Sequence, residues 1–215
     1  MLKLFLESLD KDKLEVFYKL ENFKNIGVLG GGTALALQIG HRISYDFDIF
    51  AFDKLDRYLW TKLRNVFGKT SSRLVDTEDQ LNISTPASVF ITFFRDDYKS
   101  LFKPIKTNSI DLMDIKDIAT NKAFTVGRRP KWRDYVDIYF IIKDKYLTLD
   151  EIVSLSKQKF NQGFSEKLFL EQLTYWTDIE DYNIEFLDDK VESETIKKFL
   201  FSEATKFTSN AFLNA

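Results

Sequence analysis

The sequence predicts an α/β (α+β) chain in which a mixed-sheet lobe is followed by a helical lobe. Three observations predict it. A short apolar strand runs into Gly30-Gly31-Gly32 and then a helix. A second strand alternates Asp46, Phe47, Asp48 and Ile49. From Asp114 onward the apolar period switches from two to about 3.6 and stays there.

The elements follow in order. Leu2, Phe5, Leu6 and Leu9, then Leu14, Phe17 and Leu20, are spaced for helix, with Asp10-Lys11-Asp12 splitting them into two. Ile26 to Leu29 reads as a strand, and a helix starts near Thr33 and stops around Gly40. Asp46 to Phe50 reads as a buried strand, and Asp56 to Phe67 as a helix with Leu59, Leu63 and Phe67 on one stripe. Leu74, Leu81–Ser84 and Ser88–Phe94 are β-rich, punctuated by Pro86, and Ser109–Leu112 reads as a last short strand. Helices are expected at about 114–126, 133–144, 149–158, 165–176 and 192–207. The division is therefore 1–112 for the α/β lobe with its N-terminal helix and 113–215 for the helical lobe.

Composition narrows the function classes. At 215 residues, 44% hydrophobic and 30% charged, the chain reads as an ordinary globular protein, and its 21 Phe promise an aromatic core. No apolar run approaches the ~18 residues that span a bilayer, and acids from Glu7 onward interrupt the N-terminus, so no secretory signal is read. Cysteine is absent and His41 is the one histidine, which excludes disulfides and thiolate or multi-histidine zinc sites. Together these point to the cytoplasm. A net charge of −2 excludes whole-surface nucleic-acid binding. Locally, Lys122 to Arg133 holds five basic residues and no acid, whereas Asp178 to Glu194 holds eight acids against Lys190. The acidic run reads as a solvated loop or a partner surface.

The chemistry concentrates in residues 28–50, VLGGGTALALQIGHRISYDFDIF. Glycines between a strand and a helix let backbone N–H groups face a ligand, and the helix start adds the positive end of its dipole, so phosphate is the natural guest. The same turn also serves close packing alone. Residues two apart on a strand share a face, so Asp46 and Asp48 project together. Two carboxylates on an otherwise apolar strand repel and lose hydration, an arrangement that a cation relieves. Hard oxygen ligands of this kind suit magnesium, or manganese, shared with substrate phosphates.

These residues resemble a family pattern. Gly-Gly followed by Thr, then about a dozen residues, then Asp-x-Asp on a strand, resembles the signature of the nucleotidyltransferase superfamily related to DNA polymerase beta. GGTALALQIGHRISYDFDIF is similar to the first motif of the AbiEii-type family of abortive-infection toxins. Residues 114–142, DIKDIATNKAFTVGRRPKWRDYVDIYFII, resemble its later motifs: Asp117 and Lys122 as Asp-x4-Lys, then Arg133, Asp134 and Asp137 as Arg-Asp-x-x-Asp. The bland alternative for this second segment is a helix hairpin with solvated charges and Asp134 as a cap.

The resemblance implies a nucleotidyltransferase-type fold and a reaction. Gly31, Gly32 and Thr33 would contact the triphosphate, Arg42 and Ser44 form the approach to the metal strand, and Asp46 and Asp48 would hold magnesium. Lys122 would stabilise charge on phosphoryl oxygens, Arg133 would fork onto phosphate, and Asp134 or Asp137 would orient the acceptor or a base. RNA, including tRNA, is the implied acceptor, with residues 122–133 and Trp132 the place for backbone contacts. A bacterial toxin–antitoxin or phage-defence setting with a cognate antitoxin is implied too. A protein or small-molecule acceptor, or a catalytically silent nucleotide-binding module, are the rival readings. One departure stands out: where many such enzymes place a third carboxylate on a later strand, SVFITFF has Thr92. Asp96, Asp97, Asp111, Asp134 and Asp137 are the other sources of an acid.

Overall fold

The computed structural model describes residues 3–126 and 128–213. It comprises two compact units, Met1–Asp114 and Ile115–Ala215.

The first unit opens on a single 3-10 turn at Leu6–Ser8, not the α-helix expected from residue 2, and α1 spans Lys11–Lys19. The break expected at Asp10-Lys11-Asp12 is present, because the Asp10 side chain accepts the Lys13 N–H and caps α1. β1 (Gly27–Gly30), α2 (Gly31–Ile39), β2 (Asp46–Ala51), α3 (Leu59–Phe67), β3 (Ser72–Asp76), β4 (Gln80–Ser84) and β5 (Phe90–Arg95) follow. Pro86 falls in the β4–β5 turn, where the Thr85 hydroxyl accepts the Val89 N–H. Ser109–Leu112 does not form a strand; Leu112 makes isolated bridges to Leu29 and Ile105.

The strands form one sheet in the order β1-β2-β5-β4-β3. β2 pairs antiparallel with β1 and parallel with β5, which pairs antiparallel with β4. Along β2, Phe47, Ile49 and Ala51 are buried and Asp46, Asp48 and Phe50 half-buried, the two-residue period read from the sequence. The buried side holds an aromatic core: Phe23 stacks on Phe67 at 5.7 Å and meets Phe93 at 5.5 Å, with Phe47 and Leu63 fully enclosed. Each such side chain stabilises the sheet by about 1.5–3 kcal/mol. α2 packs on β1 and β2, and its residues Thr33–Gln38 are all buried.

The second unit is helical: α4 (Ile115–Val126), α5 (Trp132–Lys143), α6 (Leu149–Phe160), α7 (Glu166–Leu173) and α8 (Ser193–Leu213). A reciprocal capping box between Thr148 and Glu151 starts α6, and Ser165 caps α7. α7 stops three residues short of expectation because the Thr174 and Tyr175 N–H groups turn back onto the Glu171 and Gln172 carbonyls. Among the described residues, no helix is long and apolar enough to cross a membrane.

Candidate active site

The site of the first unit is built by one strand and one turn. Asp46 and Asp48 stand on the same face of β2, with Phe47 and Ile49 anchored in the core behind them. The register sets Gly30, the last residue of β1, directly opposite Asp48. At Gly31 the chain takes a left-handed φ of +64° and enters α2. A Cβ at Gly31 would lie 2.7 Å from Asp48 Oδ2, so the glycine backbone abuts the carboxylate. No side chain caps α2 and no acid occupies its first turn. The N–H groups of Gly31, Gly32 and Thr33 are the ones a helix start leaves without intrahelical partners.

The Thr33 side chain is turned inward. Its hydroxyl lies 2.7 Å from Ser44 Oγ and donates to the Asp46 carbonyl in a short hydrogen bond. Thr33 and Ser44 thereby tie the start of α2 to the start of β2, and the Thr33 hydroxyl is engaged within the fold. The Ser44 N–H donates to the Ser8 carbonyl at 3.2 Å, and Arg42, 3% exposed, donates to the Ile43 carbonyl at 3.0 Å. The Arg-x-Ser segment thus holds the loop between α2 and β2 in place.

Among the described residues, no group of three His, Asp or Glu side chains gathers closely enough to hold a metal. The other acids weighed as a third carboxylate are engaged elsewhere. Asp96 accepts the Tyr98 N–H, Asp97 pairs with Arg95 at 3.1 Å, and Asp111 pairs with Lys106 at 2.5 Å. Thr92 stands in register beside Asp48 on β5.

The second unit gathers its motif residues into a buried ionic cluster. Lys122 on α4 lies 2.6 Å from both Asp134 and Asp137 on α5, and Arg129 reaches Asp134 at 3.0 Å. Burial alone would push the Asp134 carboxyl up, but the Lys122 and Arg129 charges outweigh it and hold the group below the usual carboxylate range. A second buried pair, Lys159 to Asp117 at 2.8 Å, joins α6 to α4 with both side chains fully enclosed. Sequence reading missed Lys159. Its signal was present, because Ile152, Ser156 and Lys159 fall on one buried helical stripe.

The basic run is divided between surface and core, with Lys122 and Trp132 buried. Trp132 is 3% exposed, stacked on Tyr135 and tilted against Tyr182 at 4.9 Å. Arg128 covers the Phe124 ring at 3.5 Å and donates to the Phe124 and Gly163 carbonyls. Arg128, Arg129, Lys131 and Arg133 are all exposed, on α5 and its lead-in. The expectation that Trp132 meets RNA is corrected accordingly: its ring fills the core of the unit. The acids of residues 178–194 are all exposed, while Ile179 between them is buried.

Comparison with known proteins agrees with this geometry at the level of fold. No protein-family model matches the chain. An uncharacterized protein of Aquifex aeolicus (strain VF5) is 28% identical over 222 residues, covering 93% of this chain and 99% of that protein. Among solved structures, a protein of H. pylori proposed to be a nucleotidyltransferase superposes with a TM-score of 0.60 at 17% identity, over 94% of this chain and 96% of that one. JHP933 from Helicobacter pylori gives 0.58 at 16% identity, over 96% and 98%. MenT4, a nucleotidyltransferase toxin from Mycobacterium tuberculosis H37Rv, gives 0.58 at 13% identity, over 88% and 79%. The chain therefore has the fold shared by nucleotidyltransferases. At these identities the likeness is one of architecture, and the chemistry is argued from the residues.

Proposed function

We propose that this protein is a metal-dependent nucleotidyltransferase that moves a nucleoside monophosphate from a triphosphate to an acceptor hydroxyl. One observation carries the reading: Asp46 and Asp48 share a strand face directly against the uncapped glycine turn at Gly31. Anion donors and paired carboxylates side by side are what a polyphosphate and its divalent cation require together.

Two carboxylates offer the hard oxygen donors that fit magnesium or manganese, and Asp46 and Asp48 are the residues that would hold it. Bound there, the ion supplies charge neutralisation for the phosphates. The chain's own residues do the rest. Peptide N–H groups of Gly31, Gly32 and Thr33 bind the triphosphate tail, with Thr33 and Ser44 fixing the turn beside the carboxylates. The acceptor oxygen bonds to the α-phosphorus, the bond to the β-phosphate bridge breaks, pyrophosphate leaves with the electron pair, and the hydroxyl proton passes to water. Positioning and electrostatics carry most of the rate in such transfers. Lys122, Asp134 and Asp137 act as one cluster in this reading, and Arg133 offers a forked contact to phosphate.

The resemblance to the AbiEii-type toxins and the architectural likeness to a toxin nucleotidyltransferase support a toxin role with RNA, including tRNA, as acceptor and a cognate antitoxin as partner. A catalytically silent nucleotide-binding module is the second reading, favoured by the lack of a third clustered carboxylate among the described residues. The test is incubation with each α-labelled triphosphate, magnesium and total bacterial RNA, comparing wild type with Asp48→Ala. Label entering a discrete RNA only with wild type is expected. Tight triphosphate binding without transfer would move the assignment to the silent module, and transfer surviving Asp48→Ala would overturn the metal site.

A further inference from the structure

The sheet face that carries the carboxylates continues past them. Across β2, β5 and β4 the register aligns Asp46 with Phe90 and Ser84, Asp48 with Thr92 and Asn82, and Phe50 with Phe94 and Gln80. Neighbouring strands are about 4.8 Å apart, so Phe90 and Thr92 are the immediate neighbours of the two aspartates. The six positions on β5 and β4 are all neutral. Phe90, the first residue of β5 and paired on both sides, is 43% exposed, a large ring left in water beside Asp46. Thr92 Oγ1 accepts a 2.9 Å hydrogen bond from Asn82 Nδ2, which leaves its O–H to donate elsewhere. Asn82 Oδ1 is buried without a partner, a cost of the kind found where a side chain is held for another purpose.

The two sides of the carboxylates therefore differ in chemistry. On the β1 side lies the glycine turn with its peptide donors; on the β5 side lie an exposed ring and an oriented hydroxyl among neutral strand positions. In-line transfer puts the attacking oxygen opposite the departing pyrophosphate. With the polyphosphate on the glycine turn, the acceptor falls over β5.

We infer that Phe90 and Thr92 form the acceptor subsite, and that it takes the terminal nucleoside of a single-stranded RNA, the base stacking on Phe90 and the sugar oxygen receiving the Thr92 O–H. This rests on the nucleotidyltransferase reading. A neutral aromatic patch binds a base and its sugar better than it binds a phosphodiester chain. Asn82 is a positioning residue that fixes the Thr92 hydroxyl.

The experiment compares wild type, Phe90→Ala, Phe90→Trp and Thr92→Val with single-stranded oligoribonucleotides that end in an ordinary 3′ nucleoside or in an abasic ribose. Acceptor KM and triphosphate Kd are measured separately, and melting checks the fold. Phe90→Ala is expected to raise the acceptor KM about tenfold or more, in the range that a base–aromatic stack is worth, with triphosphate Kd unchanged. Phe90→Trp should restore the acceptor KM, and the abasic acceptor should be insensitive to Phe90→Ala. Thr92→Val should lower kcat/KM about five- to tenfold, as loss of one hydrogen bond implies. An unchanged acceptor KM in Phe90→Ala, or an equal loss of triphosphate affinity, would overturn the subsite. Labelling of protein but of no oligoribonucleotide would also overturn it while leaving the transferase reading intact. Failure of wild type to bind any triphosphate with magnesium would remove both.

Discussion

Gly31→Ala is the substitution that separates the site from the fold most sharply. The position has a φ of +64°, and a non-glycine residue there costs about 1–2 kcal/mol. For a chain of this length that is about 2–8 °C in Tm. The added methyl also lies 2.7 Å from Asp48 Oδ2, and ordinary contact starts at 3.4 Å, so the carboxylate must retreat by about 0.7 Å. Displacements of that order cost up to about 100-fold when they fall on reacting geometry. Gly40→Ala is the matched comparison. Its φ is +65°, and its methyl meets the Phe5 ring, with no contact to the carboxylates. The assay is calorimetric titration of magnesium and a non-hydrolysable triphosphate into wild type and both variants, with melting alongside. Both variants should melt lower, and only Gly31→Ala should lose triphosphate affinity, by tenfold or more. Equal affinity in wild type and Gly31→Ala would refute the placement of the phosphates against this turn.

Further predictions concern the second unit. Lys122→Met leaves Asp134 and Asp137 enclosed with one fewer cation, and should cost about 3–5 kcal/mol in urea unfolding. The pH dependence should change sign with it. In wild type the Asp134 carboxyl is held below its ordinary value of 3.8, so its contribution is complete above that value and is lost as pH falls through the lowered one. Wild-type Tm should therefore drop only below about pH 4. In Lys122→Met the buried acids gain stability by protonation, and Tm should rise as pH falls from 7 to 5. A parallel profile for the two proteins would sink the assignment of that cluster as a charge-balanced core.

Much of the first unit was legible because its signals are local. The run from β1 through Gly31 to β2 is set by glycines, a 3.6-residue period and a two-residue period within one short segment. What was not legible involves partners far apart in sequence. No period or spacing near Asp48 announces that β5, more than forty residues on, pairs beside it; the resemblance alone pointed to Thr92 there, and Asn82 as its partner was not foreseen. Thr33 illustrates a subtler limit. Its place after two glycines suggested a ligand contact, whereas the folded chain spends its hydroxyl on Ser44 and Asp46. Within the basic run 122–133, Lys122 turns inward because its partners Asp134 and Asp137 lie on the next helix, while Arg128, Arg129, Lys131 and Arg133 stay exposed. The early segment came out in part: the break at Asp10-Lys11-Asp12 is present, with Asp10 capping α1, but before it stands a 3-10 turn at Leu6–Ser8 in place of a helix.

The alternation along β2 has a consequence for how the molecule is made. Sliding β2 by one residue against its neighbours would drive both aspartates among Phe23, Phe67 and Phe93 and expose Phe47 and Ile49 to water. Burying even one carboxylate without a partner costs several kcal/mol, a sizeable part of a typical total stability of 5–15 kcal/mol. The acids that make the face suitable for a cation therefore also act as a proofreading mark during folding. The native register is thereby favoured over its one-residue neighbours by several kcal/mol.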